Sequence, residues 1–295
     1  MKALLSGNEA IARGAYEAGV QIVTGYPGTP SSEIVKNMAA KYGNEVYVEW
    51  STNEKVAMDA AAGAAYCGKR ALVTTKQVGM NVLMDSLLYA VYTGAEAGLV
   101  LVTADDPGLF SSQNEQDNRW YSRLAKIPTF EPCDSQEAKD YVKLAFEMSE
   151  KFDTPCLIHS VMRVSHCKSV VELGERTENP KVLEKFPRNL PKYNCTAMYA
   201  RVMHARIEEN IKKIADYVET CGINRKSFYY HYQDIPALLE EIVMEGMDEA
   251  MAEYRSYHSL EECLDSILHQ LLEKKKPMWN IYRSVNRDVF ETGLM

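Results

Sequence analysis

Asn53-Glu54-Lys55-Val56-Ala57-Met58-Asp59-Ala60-Ala61-Ala62-Gly63-Ala64-Ala65 places one carboxylate at the start of a helix built from small residues. The run before it, 46–50, is apolar and strand-like, so the stretch reads as strand, short turn, helix. Ser51, Thr52 and Asn53 are N-cap residue types, and an acid in the first turn complements the helix dipole whatever else it does. Ala57, Ala61 and Gly63 predict a helix thin enough for another backbone or a flat ligand to come close. A carboxylate buried there would be a site.

Two neighbouring segments carry the same strand-to-helix pattern. Upstream, the strand at 20–25 ends in Tyr26-Pro27-Gly28-Thr29-Pro30-Ser31-Ser32-Glu33, a turn that opens a helix and predicts free N–H groups for an anion. Downstream, the strand at 71–75 runs into Lys76-Gln77-Val78-Gly79-Met80-Asn81, where the glycine permits close backbone approach. In an open parallel sheet, ligands bind beyond the C-terminal strand ends, and all three turns belong there. The pattern extends from residue 1 to about 165. Buried strands are expected at 20–23, 46–50, 71–75, 99–104 and 156–161, with helices at 9–18, 31–41, 54–67 and 136–151. The fold class is therefore α/β, a doubly wound parallel sheet. The polar segment 105–118 reads as a loop at the site mouth or a solvated surface loop. Residues 167–198, with Pro180, Pro187 and Pro191, read as an extended connector with little core of its own.

Six strings, in order, resemble the α subunit of indolepyruvate:ferredoxin oxidoreductase, within the thiamine-diphosphate-dependent 2-oxoacid oxidoreductases. They are Gly7-Asn8-Glu9-Ala10-Ile11-Ala12-Arg13-Gly14, Gly25-Tyr26-Pro27-Gly28-Thr29-Pro30-Ser31-Ser32-Glu33, Val48-Glu49-Trp50-Ser51-Thr52-Asn53-Glu54-Lys55-Val56-Ala57, Ala104-Asp105-Asp106-Pro107-Gly108, Ser111-Ser112-Gln113-Asn114-Glu115-Gln116-Asp117 and Arg163-Val164-Ser165-His166. The resemblance implies a pyrimidine-binding domain over 1–166. Its acid corresponds to Glu54, which would hydrogen-bond the ring nitrogen of the aminopyrimidine and set its tautomer. It further implies that Thr29 meets the substrate carboxylate and that the backbone at Val78 and Gly79 faces the cofactor's amino group. Position 77 is His or Gln in that family, and the resemblance gives the choice no role.

Departures from the family pattern matter equally. A complete member holds the cofactor diphosphate through Mg²⁺ at a Gly-Asp-Gly motif and carries two cysteine-ligated 4Fe-4S clusters. No Gly-Asp-Gly occurs here, and Cys67, Cys133, Cys156, Cys167, Cys195, Cys221 and Cys263 include no C-x-x-C pair. The expectation is half a thiamine diphosphate site, its pyrimidine half, with no metal ligands. A β subunit or the enzyme's remaining domains would complete it, a 2-oxoacid would be the substrate, and ferredoxin would take electrons indirectly. Oxidative decarboxylation to an acyl-CoA is the implied reaction, and sites between domains imply an oligomer.

The chain has 295 residues, a net charge of −8 and 46% hydrophobic residues, as expected of about two globular domains. An acidic chain gives no global reason to expect nucleic acid. Gly7, Asn8 and Glu9 interrupt any apolar leader, no apolar run is long enough for a membrane span, and the odd cysteine count points to reduced thiols in a cytoplasm.

From about residue 200 the pattern becomes helical, with 167–207 a connector and 208–295 a helical tail. Gly222 to Leu239 resembles the end of a helix-turn-helix in TetR-type repressors. That likeness implies Arg225, Lys226, Ser227, Tyr229, Tyr230 and His231 facing DNA, in a regulator with an oxidoreductase-derived sensor domain. The unit is incomplete, lacking its first helix, and from Gly222 onward eight Lys and Arg stand against thirteen Asp and Glu, whereas phosphate contacts need a basic face. The crossover near Thr220-Cys221-Gly222 reads as a chimera, a join of two partial genes.

Overall fold

A computed structural model describes residues 1–179, 183 and 185–220. The chain opens with strand β1 (Lys2–Ser6) and continues through β2 (Ile22–Gly25), β3 (Tyr47–Trp50), β4 (Ala71–Lys76), β5 (Leu99–Asp105), β6 (Thr129–Phe130) and β7 (Cys156–Val161). The last six form one sheet in the order β3-β2-β4-β5-β7-β6, and every neighbouring pair in it is parallel. A last strand, β8 (Lys168–Glu172), pairs antiparallel with β1, Lys2 opposite Glu172 and Ser6 opposite Lys168.

Helices α1 (Gly7–Glu17), α2 (Ser32–Tyr42), α3 (Glu54–Tyr66), α4 (Gly79–Thr93), α5 (Arg119–Ala125), α6 (Ser135–Phe152), α7 (Met162–His166), α8 (Leu190–Tyr193) and α9 (Ala197–Thr220) connect and cover the strands. On one face, Ala57, Met58 and Ala61 of α3 and Met80, Leu83 and Leu87 of α4 bury Ala71, Val73, Leu99 and Leu101, with Ile207 of α9 joining from outside. On the other, α1 packs on α2 and α6. Cover on both faces explains why β4 and β5 are apolar runs without alternation.

The predicted strands and helices are present, with ends moved by a few residues. Sequence reading missed β1, β6, β8, α4 and the short helices α5, α7 and α8. Strands β1 and β8 are short and largely unburied, so their pairing depends on a partner at the far end of the fold rather than on local pattern. The turn read at 76–81 is only two residues wide, because Gly79 already starts α4. The stretch read as a bare connector is strapped down. Arg176 donates to the carbonyls of Tyr16 and Val20, and the Thr177 amide to that of Glu17. Helix α9 crosses residue 207 without a break.

Candidate functional site

The chain leaves β2 for β3 on one side and returns as β4 on the other, so the strand order reverses between β2 and β4. The crevice beyond the C-terminal ends of two such strands is where open α/β sheets hold ligands. Gly25 sits opposite Trp50 and Thr74, and Lys76 opposite Ala104, so the turns after all four strands share one edge.

Glu54 is the first residue of α3, and its turn is fixed from three sides. The Asn53 side chain caps the helix by accepting from the Val56 amide at 2.9 Å. The Ser51 amide donates to the Gly25 carbonyl, and the Thr24 hydroxyl to the Ala57 carbonyl at 2.8 Å. Glu54 is only 9% exposed, yet among the described residues none hydrogen-bonds or ion-pairs with its carboxylate. Burying a carboxylate without a partner is costly, so Glu54 calls for a partner that the described residues do not supply.

That carboxylate lies against Gly79. A Cβ there would stand 2.5 Å from Glu54 Oε1 and 2.0 Å from Thr75 Oγ1. Glycine alone fits, and it brings the backbone of the β4–α4 turn, with half-buried Val78 as its N-cap, beside the acid. Gly63, by contrast, is exposed and a Cβ there would meet nothing. The close approach expected at Gly63 is absent because this part of α3 faces away from the sheet.

Thr29 is half-buried at the β2–α2 turn and precedes a cis peptide to Pro30. Three of the amides that the sequence suggested as free are engaged within the turn. The Gly28 amide donates to Ser32 Oγ at 2.7 Å, and the Ser31 and Ser32 amides both donate to the Gly28 carbonyl. The turn is instead anchored to α1, where buried Asn8 donates to the Pro30 carbonyl at 2.7 Å. The side chain of Lys76 lies over Gly28, its Cδ 2.7 Å from where a Cβ would stand, and its Nζ donates to the Ser111 carbonyl at 3.1 Å.

Gln77 has the role that sequence reading left blank. Its fully buried side chain accepts from the Asp106 amide and donates to the Asn114 carbonyl, and its own carbonyl accepts from Asn118 Nδ2 at 3.1 Å. Loop 106–118 is thereby folded down onto the β4–α4 turn, with Leu109 and Phe110 exposed at its tip.

A second polar cluster lies beside that loop. His159 Nε2 meets Asp105 Oδ2 at 2.9 Å and its Nδ1 meets Glu131 Oε1 at 2.6 Å. Burial would depress the imidazole, but the two carboxylates outweigh it and push its pKa up to about 9. Asp117 approaches, and ligand atoms of Asp105, Asp117 and His159 lie within 4.8 Å of one another. Each already has a protein partner, Asp117 being held by Arg119 Nη2 at 2.7 Å. The cluster therefore reads as a buried ion network bracing the loop. Sequence reading missed it because its members come from two strands, a loop and the residue after β6.

The repressor-like assignments to Arg225, Lys226, Ser227, Tyr229, Tyr230 and His231, and the proposed join near residue 221, lie outside the described residues. No helix among the described residues is long and apolar enough to cross a membrane.

Residues 13–224 match the family described as pyruvate flavodoxin/ferredoxin oxidoreductase, thiamine diphosphate-binding. The indolepyruvate oxidoreductase subunit IorA of Archaeoglobus fulgidus is 46% identical over 228 residues, 76% of this chain and 37% of that protein. Its counterpart from Thermococcus kodakarensis is 45% identical over 230 residues, 76% of this chain and 35% of that one. The 2-oxoglutarate synthase subunit KorA of Methanothermobacter marburgensis is 30% identical over 197 residues, 63% of this chain and 51% of its own. This chain spans little over a third of the IorA proteins it matches. A solved structure of the 2-oxoglutarate:ferredoxin oxidoreductase from Magnetococcus marinus, with 2-oxoglutarate, coenzyme A and succinyl-CoA bound, shares the fold. Its TM-score is 0.58 at 16% identity, over 73% of this chain and 45% of that one.

Proposed function

The chain belongs to the pyruvate flavodoxin/ferredoxin oxidoreductase thiamine diphosphate-binding family, and from that premise we propose that it is the pyrimidine-binding portion of an indolepyruvate-type 2-oxoacid:ferredoxin oxidoreductase. In that reading it takes part in oxidative decarboxylation of an aryl 2-oxoacid to an acyl-CoA. One observation carries it: a buried carboxylate with no partner among the described residues, lying against a glycine that admits no side chain, at the switch point of a parallel sheet.

The residues present fit thiamine diphosphate. Glu54, held against the Gly79 backbone, would accept or share a hydrogen bond with the ring nitrogen of a flat aminopyrimidine, the partner that the described residues do not supply. When bound, the cofactor supplies the carbanion chemistry. Glu54 would hold a proton between its carboxylate and that nitrogen, which requires it to be positioned and buried, as the first turn of α3 makes it. Val78 and Gly79 present backbone to the amino group, and the Thr29 hydroxyl donates to the substrate carboxylate. Residues 1–166 form the pyrimidine-binding domain in this proposal, and 167–207 and 208–295 are its connector and tail. The diphosphate, its Mg²⁺ and the 4Fe-4S clusters belong to a β subunit or to the enzyme's remaining domains, in an oligomer that passes electrons to ferredoxin. Among the described residues, Cys67, Cys156, Cys167 and Cys195 are free thiols, which suits a cytoplasmic setting.

The test is thiamine-diphosphate-dependent oxidation of indolepyruvate by the assembled oxidoreductase containing this chain. Glu54→Gln is expected to lower kcat by about 10²–10⁴-fold, the range for a lost proton-transfer group, with the melting temperature kept. A wild-type rate in that variant would remove the assignment.

A further inference from the structure

We infer that Lys76 supplies the positive charge that binds the carboxylate of the 2-oxoacid, acting beside Thr29. The inference rests on the function proposed above and adds a recognition residue to it.

Three observations converge. The amides of Gly28, Ser31 and Ser32 are closed into hydrogen bonds within the turn, so these three N–H groups are not offered to an anion and a side-chain cation would supply the charge. Lys76 is the residue whose side chain occupies that turn. Its Cβ, Cγ and Cδ run over Gly28, at 3.1, 2.8 and 2.7 Å from where a Cβ would be, which puts the stem beside Thr29. Finally, its ammonium is uncommitted in charge. It donates to the Ser111 carbonyl at 3.1 Å and pairs with no carboxylate among the described residues.

The other cations at this edge are differently placed. Lys55 pairs with Asp85 at 2.7 Å and Arg119 with Asp117 at 2.7 Å. Arg163 follows β7, which is separated from β4 by β5. Lys76 stands at the switch point itself, one residue before the Gln77 that fastens the loop. A neutral carbonyl partner is exchanged for a carboxylate at a gain, because the carboxylate adds an opposite full charge to the hydrogen bond the ammonium already makes. Substrate binding then moves the ammonium from Ser111 to the 2-oxoacid.

The experiment is steady-state kinetics of the assembled oxidoreductase with phenylpyruvate and indolepyruvate, comparing wild type, Lys76→Met and Lys76→Arg. Lys76→Met keeps the stem over Gly28 and removes only the charge. It is expected to raise KM for both acids by about 10–100-fold, the value of one hydrogen bond to a charged group, with kcat within about threefold by the rule for lost uniform binding. Lys76→Arg is expected to recover most of the loss. The concentration of thiamine diphosphate giving half-maximal activity is expected to stay put, which separates a substrate carboxylate from a cofactor phosphate. Active enzyme with unchanged KM in Lys76→Met overturns the inference and leaves the proposed function standing. A shift in the cofactor requirement instead of KM overturns it in favour of the phosphate. A wild-type assembly that does not oxidise these acids overturns the function proposal, and this inference with it.

Discussion

At Gly79 the space a side chain would need is already taken by Thr75 and Glu54. Gly79→Ala puts a methyl group into contact with Thr75 Oγ1 and the Glu54 side chain, so the Thr75 rotamer and the Glu54 carboxylate must both leave their positions. The expected cost is about 1–3 kcal/mol, as for other overpacked sites, seen as a lower denaturation midpoint, together with lost thiamine diphosphate binding in the assembled enzyme. His159 makes a second residue-scale prediction. Its pKa in the folded chain, about 9, lies above the ordinary value of 6.5. The stabilisation is therefore fully present below about pH 6.5 and is lost as pH rises through about 9. The charged groups facing it are Asp105 and Glu131, with Asp117 and Arg119 beyond them. Thermal melts are expected to show declining stability across that window in wild type and a flatter profile in His159→Gln.

Between elements, Gln77 is the fastening with the clearest consequence. One buried amide side chain satisfies a donor at Asp106 and an acceptor at Asn114, and no apolar residue can do both. Gln77→Leu is expected to leave those backbone groups unmet, at about 1–3 kcal/mol each, and to free loop 106–118 while the sheet persists. Hydrogen exchange of that loop, measured against the amides of β4 and β5, checks this. Faster exchange confined to 106–118 is expected, and an unchanged loop would mean that the His159 network alone holds it. The polar character of the loop was legible in the sequence. Its anchorage was not, because the side-chain partners of Gln77 lie 29 and 37 residues away in the chain and glutamine has no periodic signature.

Across the molecule, the end of the described chain is part of the core and not an attachment to it. Ile207 joins the α3–α4 side of the core, and Met203, Ile214 and Val218 are buried along the same helix. Arg206 adds bonds to Asp153 and to the carbonyls of Val91 and Tyr92. Ile207→Ala is expected to cost about 2–5 kcal/mol, the range for a buried aliphatic truncation, lowering the cooperative unfolding midpoint of the entire sheet domain. A separate early transition would show instead that α9 is an independent unit. The sequence by itself determined the layering and its site edge. Apolar runs alternating with amphipathic stretches leave few ways to bury both faces of a parallel sheet, and strand-to-helix turns must then gather at one edge. It also marked Glu54, because a helix-opening acid followed by small residues is a local pattern. Only the tertiary structure decided that this acid has no partner among the described residues, that Gly79 and not Gly63 meets it, that the Gly28 turn closes its own amides, and that Lys76 lies across that turn. These are facts of who stands next to whom across distant segments, and a one-dimensional pattern carries composition and period but not contact.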